Sequence, residues 1–307
     1  MSRRRRGAHI NGLVLLDKPE GLSSNQALQR VRRLFNARKG GHTGTLDPFA
    51  TGMLPLCLGE ASKTAAFMLD ACKAYRATAR FGAATATGDR EGEVVEEAPV
   101  PQPEPAQWQQ LLATMSGAQM QVPPMFSALK HEGKPLYELA RQGISVPRKA
   151  RPVTIHELRL LSWEPPELCF EVVCSKGTYI RTLAEDLAEA LGSRAHLVNL
   201  RRLWVEPFQR VPMVTLEELE VAAENACLEE HLLPVEAGLS GWPEVALDAA
   251  ATRVFRNGNP ASAAVETLPE GLFLVRDEQR RALGIGTGQG GLVQPRKVFL
   301  LDAPGGS

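Results

Sequence analysis

The 307-residue sequence predicts an α+β protein: a mixed, largely antiparallel sheet flanked by helices, with a small β-rich unit at the C-terminal end. Two observations carry that expectation. Strand-like and helix-like apolar segments are interspersed without the regular strand–helix–strand rhythm of a doubly wound sheet. The last stretch of about sixty residues then changes character, its short apolar runs split by glycines and charged turns.

The elements follow in order. The run Gly12-Leu-Val-Leu-Leu-Asp17, stopped by Lys18-Pro19-Glu20-Gly21, reads as a buried strand entering a turn. Ser24 is a plausible cap for a helix whose apolar positions are Ala27, Leu28, Val31, Leu34 and Phe35. From 38 to 52 the periodicity breaks into a glycine-rich loop, and loops of that length in compact domains are usually functional or disordered. A helix over 60–69 and a strand over 74–81 follow, then a linker over 98–106 with four prolines and a helix near 108–115. Residues 122–151 mix prolines with basic residues and read as an excursion from the fold. Strands over 153–161 and 168–174 frame a hairpin, followed by a helix over 179–191 and a strand over 197–205. Beyond residue 243, runs at 271–275, 282–286 and 298–301 predict three short strands.

Composition narrows the class. With 44% hydrophobic and 23% charged residues the chain is of ordinary globular make-up, which sets aside disorder, collagen and coiled coil. No apolar run approaches the roughly 18–20 residues that span a bilayer, and the N-terminus is polar. Five scattered cysteines fit idle thiols better than a disulfide framework, so the cytoplasm is the expected compartment. The formal charge is zero, yet residues 1–42 carry ten Lys and Arg against Asp17 and Glu20, a net charge of +8. Acids gather instead at 89–104 and 217–230. Segregated charge of this kind can steer a polyanion even when the total is nil.

Three motifs are set aside. Gly286-Thr-Gly288-Gln-Gly-Gly291 matches a dinucleotide fingerprint in letters, but Pro295 and the chain end leave no room for the helix and distant acid it needs, so it is a turn between strands. The histidines and cysteines show no paired metal-ligand spacing, and no metal is expected. Lys39-Gly-Gly-His42 lacks the rest of a phosphate-binding loop.

Asp47 remains. Alone, Asp47-Pro48 is an ordinary turn initiator. Among Gly41, Gly44 and Gly52, however, a carboxylate can be approached closely, because glycines put no side chain in the way.

The string Gly41-His-Thr-Gly-Thr-Leu-Asp47-Pro-Phe-Ala-Thr-Gly52 is preceded by Asp17-Lys-Pro-Glu-Gly21. It is followed by Lys73-Ala-Tyr75-Arg, Pro123-Pro-Met-Phe-Ser-Ala-Leu-Lys130, Ser175-Lys-Gly-Thr-Tyr179-Ile-Arg181-Thr-Leu and Asn199-Leu200-Arg-Arg. In this order the motifs resemble the TruB family of tRNA pseudouridine-55 synthases across residues 12 to about 210, and the tail more loosely resembles that family's small PUA-type domain. The resemblance implies a pseudouridine synthase fold, with a catalytic domain at 11–243 and a PUA-like RNA-binding domain at 244–307; the basic extension at 1–10 has no assigned counterpart in the family. It implies isomerisation of a uridine in the T-stem loop of tRNA: the base is flipped out, its glycosidic bond is broken and it is rejoined through C5. No cofactor is required, because nothing is oxidised and no group is lost.

By the same resemblance Asp47 is the catalytic aspartate, either attacking covalently or removing a sugar proton. Arg181 pairs with it, and a nearby cation would oppose the upward pKa shift of burial; otherwise Arg181 would be an ordinary helical partner of Glu185. Tyr75 stacks on the target base, Tyr179 assists proton transfer at C5 and Leu200 walls the pocket. His42 enters the RNA loop as the base leaves. Lys18, Lys39, Lys130, Arg141 and Lys149 are expected to contact RNA. Phe49 and Ser23 depart from the family's commoner Leu and Thr without removing a functional group. A monomer acting on tRNA, with no membrane and no protein partner, is expected. The rival reading is a non-catalytic RNA-binding or RNA-folding protein with the same grip; a DNA-acting enzyme is a weaker third.

Overall fold

In the computed structural model of the chain, residues 7–265 and 267–301 are described; the arginine run at 3–6 lies outside them. The first unit runs β1 (Gly12–Lys18), α1 (Ser24–Leu34), β2 (Gly40–His42), β3 (Thr51–Leu58), α2 (Ala65–Asp70), β4 (Lys73–Phe81), β5 (Ala83–Thr85), β6 (Val94–Glu97), α3 (Pro105–Thr114) and β7 (Gly117–Gln121). The excursion follows, with a small hairpin of β8 (Lys130–His131) and β9 (Lys134–Pro135) and the helix α4 (Leu136–Arg141). The chain then re-enters the sheet through β10 (Arg151–Glu164), β11 (Glu167–Cys174), α5 (Ile180–Ala190), β12 (Ala195–Val205) and α6 (Leu216–Glu224). A second unit holds β13 (Glu244–Leu247), α7 (Ala249–Arg256), β14 (Leu272–Asp277), β15 (Ala282–Gln289) and β16 (Leu292–Val298).

The main sheet has the order β1-β3-β12-β4-β11-β10-β7, with β2 also on β3. Its pairings are antiparallel except β12 with β3, so the mixed, largely antiparallel α+β fold is what forms. β1 is buried on both faces: Val14 and Leu16 join the helix-covered core with Leu28, Val31, Leu183 and Leu187, while Leu13 and Leu15 face the other way. That explains why its sequence is a continuous apolar run rather than an alternation. The opposite face is closed by Leu274, Ile285 and Phe299 of the second unit, whose Leu300 amide donates to Glu60 Oε2 at 2.8 Å.

Several elements differ from expectation. β3 was not foreseen: Thr51-Gly-Met-Leu-Pro-Leu-Cys-Leu58 holds a proline and does not alternate, and its first two residues fall within the stretch 38–52 read as loop. Buried on both faces, it needs no alternation. The Pro55 carbonyl accepts from Thr43 N–H at 3.1 Å, so its donorless nitrogen faces the same side, in the gap that β2 and β12 leave along β3, and no ladder bond is lost. α1 is capped by Ser23, not Ser24, in a reciprocal pair with Gln26. The helix expected over 60–69 is a 3₁₀ turn (Gly59–Lys63) followed by the short α2. The strand expected at 298–301 is instead β16, which ends at Val298, and Phe299 is spent on the contact between the two units. β7, the β5–β6 hairpin and α7 were not foreseen.

Candidate active site

Asp47 is held by its neighbours. Leu46 and Phe49 on either side are buried in the core and pull the loop down at both flanks. The Ser24 hydroxyl accepts from Leu46 N–H at 2.8 Å and donates to Leu46 C=O at 3.1 Å, a buried double bond from the start of α1. Pro48 C=O accepts from Gly21 N–H and from Lys18 Nζ. Lys18, expected on the RNA surface, is therefore corrected: it is wholly buried, and its ammonium also donates to the carbonyls of Pro19 and Leu22. Burial lowers its pKa to about 8, against the pull of Asp47. It fastens the turn after β1 to the Asp47 loop.

Arg181 rises from the first turn of α5 and is likewise buried. Its Nε lies 3.1 Å from Asp47 Oδ2, and the remaining nitrogens are committed: Nη1 donates to Thr87 C=O at 2.6 Å and Nη2 to Phe126 C=O at 2.7 Å. The guanidinium thus turns to Asp47 and not to Glu185. Nη1 also stands 3.6 Å from Asp89 Oδ2, an acid that the sequence reading counted only as part of a charged patch. Asp89 is buried and accepts from the Thr87 hydroxyl at 2.6 Å and Glu91 N–H at 3.0 Å. Nothing local in Gly88-Asp-Arg-Glu91 distinguishes it; only the fold brings it to Arg181. Burial raises the pKa of Asp47, and Asp89 adds to the rise, while Arg181 and Lys18 oppose it. The arginine moderates the shift without cancelling it.

The carboxylate opens into a cleft of about 270 Å³ between β4, β12 and the start of α5. Its walls include Tyr75, Leu200, Tyr179, Lys73 and Arg202, together with Ser127 and Gly177. Pairing of β12 with β4 sets Leu200 opposite Ala77 and Arg202 opposite Tyr75, which places the two apolar walls one pleat apart. The volume is at the low end for small-molecule sites and suits one flat ring. Lys73 turns its ammonium to the carbonyls of Leu69 and Ala71, and burial followed by Arg202 lowers its pKa to about 8. Burial raises the pKa of both phenols, Tyr75 and Tyr179.

Asp47, Arg181, Tyr75, Tyr179 and Leu200 therefore meet at one cleft. His42 does not line it. It ends β2, half-buried, with Nδ1 lacking a partner, and burial together with Arg202 favours its neutral form. Lys39, Lys130, Arg141 and Lys149 are exposed. Arg202, absent from the expected site, is among the most buried side chains; its Nε donates to Met53 C=O at 2.6 Å and Nη2 to Gly44 C=O at 3.3 Å, filling the gap between β2 and β12. Among the described residues, no group of three or more His, Cys, Asp or Glu is placed to share a metal ion, and no helix is long and apolar enough to cross a membrane.

Comparison with known proteins matches three consecutive family models: TruB family pseudouridylate synthase (N terminal domain) over 32–180, tRNA pseudouridylate synthase B C-terminal domain over 181–240, and pseudouridine synthase II TruB, C-terminal, over 243–299. Proteins named tRNA pseudouridine synthase B from Cronobacter sakazakii and Escherichia coli O1:K1 are 49% and 48% identical, each covering 98% of this chain and 99% of the relative. Among solved structures, the fold resembles a chain of a Cbf5-Nop10-Gar1 complex (TM-score 0.73, 23% identity, 95% of this chain and 86% of that one). It also resembles a chain of the archaeal box H/ACA sRNP Nop10-Cbf5 complex (TM-score 0.72, 21% identity, 98% and 93%).

Proposed function

Because the chain belongs to the TruB family of pseudouridylate synthases and is a tRNA pseudouridine synthase, an isomerase, we propose that it converts uridine to pseudouridine at position 55 in the T-stem loop of tRNA. The target base is flipped out of its stack, at a cost of a few kcal/mol, into the cleft beside Asp47. His42 takes the vacated place, where stacking worth ~1–3 kcal/mol offsets much of that cost. Tyr75 stacks on the flipped ring and Leu200 bounds it. The ionised Asp47 carboxylate drives cleavage of the glycosidic bond, by attack or by removal of a sugar proton. The base turns and rejoins through C5, and Tyr179 helps the C5 proton leave. Atoms balance without a cofactor.

The exposed Lys39, Lys130, Arg141 and Lys149 grip the phosphates; Lys18 is left out of this set because its ammonium is buried. Residues 11–243 form the catalytic unit and 244–307 an RNA-binding appendage. The protein works as a monomer in the cytoplasm.

The observation that carries this reading is the Asp47–Arg181 pair at a cleft sized for one ring and walled by Tyr75, Tyr179 and Leu200. The test is release of tritium to water from tRNA tritiated at uridine C5. About one equivalent per tRNA is expected by the stoichiometry of one flipped base, lost in a transcript whose position 55 is cytidine. Release that persists from that transcript would place the reaction elsewhere.

A further inference from the structure

Gln121 closes β7, and both ends of its side-chain amide are spent on one residue. Tyr179 N–H donates to Gln121 Oε1 at 2.8 Å, and Gln121 Nε2 donates to Tyr179 C=O at 3.1 Å. The side chain copies the paired bonds that a neighbouring strand would offer. Gln121 is only 4% exposed, unusual for a glutamine unless its amide is needed there.

Tyr179 needs such a partner. It precedes α5 in an extended conformation (φ −98°, ψ 113°), after Gly177 at φ +77°, so no helical bond fixes its N–H. Two residues on, Arg181 is held by Phe126 C=O, from the strip of chain that leaves Gln121. One short segment, 121–127, therefore ties down both ends of the turn that delivers Tyr179 and Arg181 to the cleft. Arg181 has other anchors in Thr87 and Asp47, and the Tyr179 carbonyl also accepts from Leu183 N–H at 3.1 Å, whereas the Tyr179 N–H is held by Gln121.

We infer that Gln121 is a positioning residue for Tyr179: its amide fixes the Tyr179 backbone and so aims the phenol at the reacting ring. This rests on the proposed role of Tyr179 at the C5 proton. A ring aimed from a fixed backbone keeps its oxygen at one place, and a loose one forfeits proton transfer before it forfeits binding.

The test uses Gln121→Met, which keeps length and apolar bulk and removes both bonds. Single-turnover pseudouridine formation is expected to fall by roughly 10-fold to 100-fold, while tRNA affinity holds. With tRNA deuterated at uridine C5, the variant shows a larger isotope effect than the parent, because proton transfer has become the slow step. A rate equal to the parent's overturns the inference, and so does a fall in rate with an unchanged isotope effect or with matching loss of affinity, the mark of a general structural defect. Should Gln121→Met melt below assay temperature, Gln121→Leu, which also removes both bonds, carries the same comparison. Failure of the parent to release tritium would sink the proposed reaction instead.

Discussion

Arg181 Nε and Asp47 Oδ2 stand 3.1 Å apart, and the two ends of this pair are unlike: the arginine side chain is 5% exposed and the aspartate 33%. The cation is committed to the protein on every nitrogen, while the carboxylate keeps a face open to the cleft. The pair thus leaves its anion available to the cleft.

Removing the charge of Asp47 separates activity from stability. Burial raises its pKa, so the folded state holds the proton more tightly than the unfolded chain, and the associated stability is lost as pH rises through the folded value. At neutral pH the ionised carboxylate is thus a cost to folding. Asp47→Asn is expected to lose activity by ~10²–10⁴-fold, bind tRNA normally and melt no lower than the parent at pH 7–8. Calorimetry beside tritium release checks both, and a marked drop in Tm would mean that the acid serves the fold. Parent activity should fall as pH drops through the raised pKa, and Arg181→Leu, which removes the opposing cation, moves that midpoint upward.

Two of the glycines around Asp47, Gly52 and Gly41, have different reasons. A Cβ on Gly52 (φ +98°) would lie 2.2 Å from the Arg202 carbonyl oxygen, whereas Gly41 has nothing within 4 Å and an ordinary φ. Gly52→Ala is expected to cost about 2–4 kcal/mol through clash and backbone strain. Gly41→Ala should leave Tm unchanged and weaken tRNA binding, because the added methyl crowds the approach to the Asp47 loop. Chemical denaturation and filter binding on the two variants check this, and equal losses of stability would contradict it.

Much of this was legible in the chain. The Asp47 loop stood out because glycines and a proline interrupt an otherwise periodic sequence, and β1, β4 and β11 announced themselves by apolar runs or alternation. β3 was hidden because burial on both faces erases the period-two signal, and Pro55 is tolerated only where a neighbouring strand is missing. Lys18 and Arg202 were illegible for another reason. Lysine and arginine read as surface, and only the tertiary fold gathers three carbonyls around one ammonium and sets one guanidinium in the gap beside β3. Asp89 becomes visible only when tertiary structure brings it to Arg181.

Burial also sorts the basic residues by what they do for RNA. Each exposed cation on a phosphate releases counterions, so Lys39→Ala and Lys149→Ala should each lower the slope of log affinity against log salt by about 1. Lys18→Met leaves the Pro19 and Leu22 carbonyls without their Lys18 donor and Pro48 C=O with Gly21 N–H alone, and is expected to cost about 1–3 kcal/mol with no change in slope. Salt titrations of tRNA binding check the division; a reduced slope for Lys18→Met would return that residue to the surface.

Glu185 extends the acid chemistry behind the site. It faces Gly88, where a Cβ would come within 2.6 Å of Oε1, and shares the fields of Arg181, Asp186, Arg148 and Asp89. Burial pushes its pKa up to about 7, against the pull of Arg181 and Arg148. A raised folded pKa makes the protonated form the stabilising one: that stability is complete below the ordinary glutamate range and gone once pH has risen through 7. Glu185→Gln mimics the protonated acid permanently. It is expected to stabilise the protein by about 1–3 kcal/mol at pH 8, an amount kept below the full linkage value because the group is only partly shielded from water, and by much less at pH 5. Melting curves of parent and variant at the two pH values decide it. A gain that is the same at both would show that the amide helps by packing, and that ionisation of Glu185 carries no cost in the fold.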